Sequence, residues 1–287
     1  VFQAVEQWVD WKRGSGYQDG YYLLGLPDDL SQLFGQAYAD GARVHSNSWG
    51  DSLHGQYTIE SQTIDQFLWD HKDMIILFSA GNDGTDANRD GVVDADSLAS
   101  QACAKNCIAV GASENQRAAG GFNPDGICET YGGCWPMNFP TAPLRHDRIS
   151  DNAEGMVAFS SRGPADDGRI KPDVVAPGTN ILSVRSSQTN DTGWGLLPPG
   201  DPYREHYMFL GGTSMATPLA AGAVALIRQY LEKVRLHQAT GALLKALLVH
   251  GAAPLAGQYN PSEVQPPPDI NQGWGRVNIT KAELEAA

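Results

Sequence analysis

Residues 74–82 decide the fold and read Met74-Ile75-Ile76-Leu77-Phe78-Ser79-Ala80-Gly81-Asn82. The first five are apolar without alternation, which is typical of a short parallel strand that is buried on both faces. Small residues and one amide follow where such a strand would end. We therefore expect a central strand at 74–78 whose carboxyl end carries small and polar side chains.

Strand-like and helix-like segments alternate on both sides of this strand. Asp28 or Asp29 can cap the first helix, and Gly41 can end it. The predicted segments, in chain order, are a strand at 1–5, a helix at 30–38, a strand at 43–48, a helix at 64–71, the strand at 74–78, strands at 107–110 and 174–176, and helices at 217–231 and 241–250. This alternation predicts an α/β fold with a mostly parallel sheet covered by helices on both faces.

One domain over 1–287 is expected from length and composition. A chain of 287 residues that is 41% hydrophobic can bury one substantial core. Residues 115–155 contain several Gly and Pro and show little periodicity, so we predict an insertion loop there.

The charge of the chain excludes one class of partner. A net charge of −13 opposes binding to phosphate backbones, so nucleic acid is not an expected partner. No stretch approaches the roughly 20 apolar residues that a membrane span needs, and no membrane association is expected.

The four cysteines fall into two close pairs, Cys103 with Cys107 and Cys128 with Cys134. The sequence alone permits three connectivities, and we favour a disulfide within each pair. A zinc site is the alternative, although no histidine lies inside either loop. Two disulfides would indicate an oxidising compartment, which predicts a secreted, extracellular protein.

An acidic loop over 86–96 has the D-x-N-x-D-G-x-x-D spacing of calcium loops. Alternating oxygens in this pattern converge on a hard cation, and Gly91 allows the sharp turn. Ser97 stands where such loops carry a bidentate Glu, so Asp96 is expected to substitute. The alternative is a solvated acidic turn. The predicted Ca²⁺ ligands are Asp86, Asn88, Asp90, Val92, Asp94 and Asp96.

A candidate nucleophile, Ser214, follows two glycines and precedes an apolar helix in the stretch 211–218, GGTSMATP. Glycines let backbone and substrate approach closely, and a helix N-terminus presents unpaired N–H groups to a developing oxyanion. Taken alone, the serine could equally be an ordinary helix cap.

Five motifs in a fixed order remove that ambiguity. They are SNSWG at 46–50, FSAGN at 78–82, FSSRGP at 159–164, KPDVVAPG at 171–178 and GTSMA at 212–216. Together with GWGRVN at 273–278, this set resembles the C-terminal part of the catalytic domain of the subtilase family of serine proteases. The sequences at 42–50 and 167–173 are most similar to those of the oxidatively stable alkaline protease branch known from bacilli.

The resemblance implies a subtilisin-like fold and a role for each motif. Ser214 would attack the scissile carbonyl, and Asn82 would donate its side-chain amide to the oxyanion together with the Ser214 N–H. The substrate-binding residues implied in the same way are Ser48, Trp49, Gly50, Ser79, Ala80, Gly81 and Thr213. Separately from the resemblance, the acidic loop follows Asn82 almost directly, so calcium bound there is expected to brace the strand that leads to Asn82.

A catalytic Asp and His are missing from the positions that the family's order requires. His45 lies within a strand, and His54 and Asp191 come at the wrong place in the chain. We therefore expect the Asp- and His-bearing segment to lie upstream, as a second fragment that partners this chain. Alone, the chain is expected to be inactive or nearly so.

These residues predict a serine endopeptidase that cuts protein or peptide substrates through an acyl-enzyme on Ser214. A pseudoprotease or peptide-binding module that does not hydrolyse its ligand is the alternative. An esterase of the α/β-hydrolase type fits poorly, because its nucleophile motif ends in Gly, whereas the corresponding residue here is Ala216.

Overall fold

The computed structural model describes residues 7–9, 20–117, 119–122, 128–259 and 263–280. The strand predicted at 1–5 lies outside them. The strands are β1 (Gln7–Val9), β2 (Gly20–Tyr22), β3 (Val44–Asn47), β4 (Ile75–Ser79), β5 (Ile108–Ser113), β6 (Val174–Pro177), β7 (Ile181–Val184), β8 (Gly195–Leu196) and β9 (Tyr207–Leu210). The helices are α1 (Leu30–Ala39), α2 (Ile59–Asp70), α3 (Tyr131–Cys134), α4 (Thr213–Lys233) and α5 (Gly241–Gly251).

The central sheet has four parallel strands in the order β3-β4-β5-β6. Phe78 of β4 lies beside Asn47 of β3 on one side and beside Ala109 of β5 on the other. The predicted α/β architecture is confirmed.

Both faces of β4 are buried, which explains its unbroken apolar run. Ile75 and Leu77 pack in the cluster that includes α4 and α5, whereas Ile76 and Phe78 pack in the cluster of α1 and α2. Each buried side chain of this size contributes roughly 1.5–3 kcal/mol to folding. A polar residue at either set of positions would therefore face a core.

The starts of α1 and α4 differ in how well the local sequence predicts them. Asp29 caps α1 as predicted, since its Oδ1 accepts a hydrogen bond from the Ser31 N–H at 2.9 Å. By contrast, α4 begins at Thr213, before the predicted start at 217. Ser214 therefore lies inside the first turn of the helix.

A second, antiparallel sheet, β7-β9-β8, was not predicted. Most side chains of β7 are exposed, and Val184 retains 72% of its accessible surface. A strand without a buried face has no apolar periodicity, which is the signal on which the sequence analysis depends. Within the described residues, every helix is too short or too polar to span a bilayer.

The irregular segment 115–155 contributes to the main core. In its described part, Tyr131, Phe139, Leu144 and Ile149 are buried in the cluster that contains α4. The segment therefore holds part of the interior as well as connecting β5 to the residues before β6.

The structure joins Cys128 to Cys134 by a disulfide, while Cys103 and Cys107 are free and buried. The structure does not contain the predicted bridge between Cys103 and Cys107, because each thiol is directed at a main-chain carbonyl, that of Ala99 for Cys103 and that of Ala104 for Cys107. Cys103 packs with Ala80 and points to the Ala99 carbonyl at 3.4 Å, whereas Cys107 belongs to the cluster of α1 and α2. Burial raises the pKa of the Cys103 thiol to about 12.

We expect two free thiols per chain. The native protein should not react with a thiol reagent, because both groups are buried and protonated. Denaturation without a reductant should release two thiols, and subsequent reduction should bring the total to the four cysteines of the chain. A denatured, unreduced chain with no reactive thiol would restore the two-disulfide interpretation.

Three carboxylates with little or no exposure, those of Glu114, Asp147 and Glu263, interact in and around the segment 115–155. Burial raises the pKa of Asp147 to about 8, and the nearby Glu263 raises it further by charge repulsion. Glu114, whose carboxylate accepts a hydrogen bond from the Tyr131 hydroxyl at 2.6 Å, has its pKa raised by burial as well. These groups favour their neutral forms in the folded protein.

Stability should fall as the pH rises through about 8. The folded-state pKa of Asp147 lies above the unfolded value, so its contribution is fully present below that unfolded pKa and is lost on deprotonation. When the pH is raised from 6 to 9, the unfolding free energy of the parent should fall by about 2–3 kcal/mol more than that of Asp147→Asn, because an asparagine cannot lose a proton. Urea melts at both pH values test this, with the exposed Asp28→Asn as control. Equal losses for all three proteins would refute it.

Candidate active site

Three segments meet at the carboxyl edge of the central sheet, where parallel α/β sheets place their sites. Ser48 directly follows β3, and Asn82 lies three residues beyond the end of β4. Ser214 lies in the first turn of α4, which packs across all four strands.

Ser48 and Ser214 exchange two hydrogen bonds. The Ser48 hydroxyl donates to the Ser214 carbonyl at 2.7 Å, and the Ser214 hydroxyl donates to the Ser48 carbonyl at 3.2 Å. In a regular helix the N–H of residue 218 would reach that Ser214 carbonyl, but Pro218 has no N–H. The proline therefore leaves the carbonyl open, and Ser48 supplies the donor.

This arrangement predicts coupling between Ser48 and Pro218. Ser48→Ala should cost about 0.5–1 kcal/mol of unfolding free energy, because the Ser214 carbonyl loses its donor. In a Pro218→Ala background the helix regains its own N–H donor, so the same substitution should cost less. A double-mutant cycle from urea melts measures the difference. Strict additivity would show that Pro218 does not control the contact.

The orientation of the Asn82 amide follows from its partners. Asn82 Oδ1 accepts hydrogen bonds from the backbone N–H of Thr213 at 2.9 Å and from the Thr213 hydroxyl at 3.1 Å. Because both partners donate, the oxygen must face Thr213. Nδ2 of Asn82 is thereby left as the outward-facing donor.

Asn82 Nδ2 and the backbone N of Ser214 are equally distant from one point next to Gly212. A Cβ added to Gly212 would lie 3.5 Å from each of these nitrogen atoms. Gly212 has a φ of 143°, a conformation that favours glycine, and it caps α4. Two N–H donors at the positive end of a 21-residue helix therefore flank a space that has no side chain.

The predicted substrate-binding residues at 48–50 and 79–81 differ in exposure. Ser48 and Gly50 are exposed, and Trp49 packs edge-on against Phe78 at 5.2 Å between ring centroids. Ser79 and Ala80 are buried, and Gly81 faces Ser161, whose hydroxyl would lie 2.6 Å from an added Cβ.

The sequence analysis did not identify Asp51 as part of this region. Its carboxylate accepts hydrogen bonds from the Ser100 N–H at 2.8 Å, the Ser100 hydroxyl at 2.6 Å and Gln101 Nε2 at 3.1 Å. These bonds hold the chain after Gly50 against residues 99–101. An acidic residue directly after the SWG motif is the only local signal of this role.

An aromatic cavity of about 240 Å³ opens beside the two donors. The indole of Trp194 covers Gly211, where an added Cβ would lie 1.8 Å from the ring. Phe122 stacks on the same indole at 4.5 Å. The lining residues that carry rings are Trp135, Phe139, Phe159 and Trp194.

The two histidines and the aspartate set aside in the sequence analysis lie in other environments. The His45 ring packs edge-on against Phe34 at 5.2 Å, and burial lowers its pKa to about 4. His54 Nδ1 contacts the Asp96 carbonyl at 3.0 Å, and Asp191 accepts from the Gly193 N–H at 2.9 Å in a turn. Among the described residues, the Ser214 hydroxyl hydrogen-bonds to a carbonyl and not to a base.

A family comparison agrees with this geometry. The model described as the subtilase family matches residues 25–275. The chain belongs to the subtilase family. The matched range includes β3, β4, α4 and the segment of Gly212 and Ser214, so the site described above lies within the family's shared core.

Curated relatives of this subtilase chain are much longer proteins, and each matches it over only a small part of its own length. It is 32% identical over 323 residues to the serine protease/ABC transporter B family protein tagD of Dictyostelium discoideum, covering 89% of this chain and 17% of that protein. It is 34% identical over 321 residues to tagB of the same organism, covering 88% of this chain and 16% of that protein. The chain therefore spans about one sixth of the length of these relatives.

Solved structures show the same fold at low identity. The prenylagaramide maturation protease PagA superposes with a TM-score of 0.54 at 23% identity, covering 90% of this chain and 67% of that chain. A lanthipeptide protease gives a TM-score of 0.57 at 15% identity, covering 90% and 66%. The predicted subtilisin-like fold is confirmed.

Proposed function

We propose that this chain supplies the nucleophile and the oxyanion hole of a serine endopeptidase. The observation that carries the proposal is that Asn82 Nδ2 and the backbone N of Ser214 both lie 3.5 Å from the position that a Cβ on Gly212 would occupy. Two such donors stabilise the negative charge that develops when a hydroxyl attacks a peptide carbonyl. A serine that serves only the first turn of a helix has no need of a second donor from the segment that follows β4.

The proposed reaction is acyl transfer. The Ser214 oxygen bonds to the carbonyl carbon of the substrate, and the hydroxyl proton passes to a base. The resulting oxyanion accepts hydrogen bonds from Asn82 and the Ser214 N–H. The amine then leaves with that proton, and water hydrolyses the ester to regenerate Ser214.

The base and its orienting carboxylate are proposed to come from a second fragment upstream in the family's order. Among the described residues, the Ser214 hydroxyl contacts a main-chain carbonyl and no base, so this proposal requires an imidazole that the described residues do not place there. The chain alone is then expected to be inactive or nearly so.

Protein and peptide substrates are proposed on the same basis. The aromatic cavity beside Asn82 offers apolar surface to a substrate side chain next to the scissile bond. Membership of the oxidatively stable alkaline protease branch stays a prediction. Secretion also stays a proposal, supported by the disulfide between Cys128 and Cys134.

Intact-mass analysis of the native protein, combined with a fluorophosphonate probe, tests the proposal. We expect a second polypeptide carrying an Asp and a His, cleavage of casein, and probe mass on the peptide that contains Ser214. Adding that polypeptide to the purified chain should restore cleavage. Absence of labelling and cleavage from the complete assembly would reject the proposal.

A peptide-binding role without hydrolysis is the second candidate. The hydrogen bond that holds the Ser214 hydroxyl on a main-chain carbonyl favours it, because a hydroxyl held this way is not activated. In that case the complete assembly would bind casein-derived peptides and leave them intact.

A further inference from the structure

A cavity of about 560 Å³ opens at the amino edge of the central sheet. Met74 and Ile75 line it at the start of β4, Lys105 lies shortly before β5, and Asp173 directly precedes β6. Because the four strands are parallel, the carboxyl edge, where Ser214 lies, is at the other end of the same strands. The amino-edge cavity is therefore separate from the candidate active site, and its size is that of a site for a small molecule.

Two exposed indoles line the amino-edge cavity. Trp69, in the last turn of α2, retains 64% of its accessible surface, and Trp274 retains 44%. The backbone N–H of Trp274 donates to the Asp173 carbonyl at 3.0 Å, which holds the chain that carries this indole. Large aromatic surfaces that stay exposed beside a cavity indicate a place where a ligand can cover them.

Most of the remaining lining is apolar. Leu68 and Met74 belong to the cluster of α1 and α2, whereas Ile75 belongs to the cluster that includes α4 and α5. Ala246 and Val249 contribute apolar surface from α5. An apolar lining that carries a few charged groups is typical of sites that bind and orient small molecules.

Three lysines, Lys72, Lys105 and Lys245, give the lining a positive charge. Among the described residues, neither Lys72 nor Lys105 forms an ion pair with a carboxylate. The Lys72 ammonium lies over the Trp69 ring, 3.2 Å from its centroid, and this cation–π contact holds the charge beside the indole. On a chain with a net charge of −13, a lining with three cations and one carboxylate is suited to an anion.

Lys245 carries a charge that its surroundings compensate only in part. Its Nζ lies 2.9 Å from Asp173 Oδ1, while Lys171 Nζ lies 2.7 Å from Oδ2 of the same buried carboxylate. Two ammonium groups thus share one carboxylate, which leaves one positive charge in excess. Burial lowers the pKa of Lys245, so an anion in the cavity would favour the charged form of this lysine.

We propose that the amino-edge cavity binds a small aromatic anion. The aromatic body would lie against the indoles of Trp69 and Trp274, and its carboxylate or sulfonate would face the three lysines. An uncharged aromatic molecule would leave the excess positive charge uncompensated. An inorganic anion would leave both indoles exposed to water. The two requirements together define the class of ligand.

Isothermal titration of the purified protein with naphthalene-2-sulfonate tests the site without reference to protease activity. We expect one binding event whose affinity falls when NaCl is added, because salt screens the attraction between the lysines and the sulfonate. Naphthalene-2-sulfonamide has the same rings without the charge and should bind about 5-fold more weakly or worse. Sodium sulfate, an anion without rings, should give no binding event at the same concentrations.

Substitutions at exposed positions locate the probe. The double variant Lys72→Gln/Lys105→Gln should weaken binding of naphthalene-2-sulfonate by about 10-fold, and Trp69→Leu should weaken it by about 5-fold. All three side chains are exposed, so the variants should fold like the parent. Lys233→Gln is the matched control and should bind the probe like the parent, because Lys233 is an exposed lysine at the end of α4 that does not line the cavity.

Several results would overturn the proposal. They are absence of binding to the parent, equal affinity for the sulfonamide, and equal weakening by Lys233→Gln. Unchanged affinity in both the double lysine variant and Trp69→Leu would also overturn it, because the probe would then lie elsewhere, for example in the aromatic cavity beside Asn82. None of these outcomes depends on Ser214 or on a second fragment, so the proposed protease function is tested independently.

Discussion

Ser214→Ala, measured in the assembly that includes the Asp- and His-bearing segment, is expected to lower kcat on a peptide substrate by about 10⁶-fold. The substitution removes the attacking oxygen, whereas the Ser214 backbone N–H and Asn82 Nδ2 remain in place. Residual catalysis of roughly 10³–10⁴-fold over water would come from these donors and from substrate binding. KM should change little.

The folded structure should tolerate this change. Ser214 lies in the first turn of α4 and loses one hydrogen bond, to the Ser48 carbonyl, while alanine is a good helix former. A melting temperature near that of the parent would confirm that the loss is chemical. The exposed Ser187→Ala is the control and should keep full activity. Activity within 10-fold of the parent would mean that another nucleophile is at work.

The sequence predicted those elements that bury a continuous or periodic set of apolar side chains. The apolar run at 74–78 and the spacing from Leu30 to Tyr38 each specify a buried surface, and β4 and α1 lie where those patterns occur. β7 was missed because its side chains are mostly exposed. An apolar pattern reflects burial, so a strand that buries little carries no such pattern.

Those site residues were predictable that belong to a short sequence motif. Ser214 and Asn82 each stand in such a motif, and the structure brings them together through Thr213. The aromatic cavity was not predictable, because its rings come from segments as far apart as Trp135 and Trp194. Only the tertiary structure brings these segments into contact.

The start of α4 illustrates a third limit. Pro218 suggests a helix that begins near residue 217, since proline is favoured in the first turn. The helix begins earlier, at Thr213. Pro218 leaves the Ser214 carbonyl without an N–H donor inside the helix, and the hydroxyl of Ser48, directly after β3, supplies one. A contact across 166 residues of sequence has no local signature.

Asn82 is expected to show the second-largest effect in the assembled protease. Asn82→Ala should lower kcat by about 10²–10³-fold with little change in KM, because the lost donor acts on charge that develops only in the transition state. Asn190→Ala is the matched control, since Asn190 is exposed and does not line the cavity. It should keep kcat within a few-fold of the parent.

Asn82→Asp separates the amide's two roles. The carboxylate keeps an oxygen for the Thr213 N–H and hydroxyl, which Asn82 Oδ1 accepts at 2.9 and 3.1 Å, so the melting temperature should stay close to that of the parent. Negative charge near the start of α4 is favourable to the helix. The same charge replaces the Nδ2 donor and repels the oxyanion, so kcat should fall at least as far as in Asn82→Ala. Retained stability with kcat within 10-fold of the parent would show that Asn82 only positions Thr213 and does not bind the oxyanion.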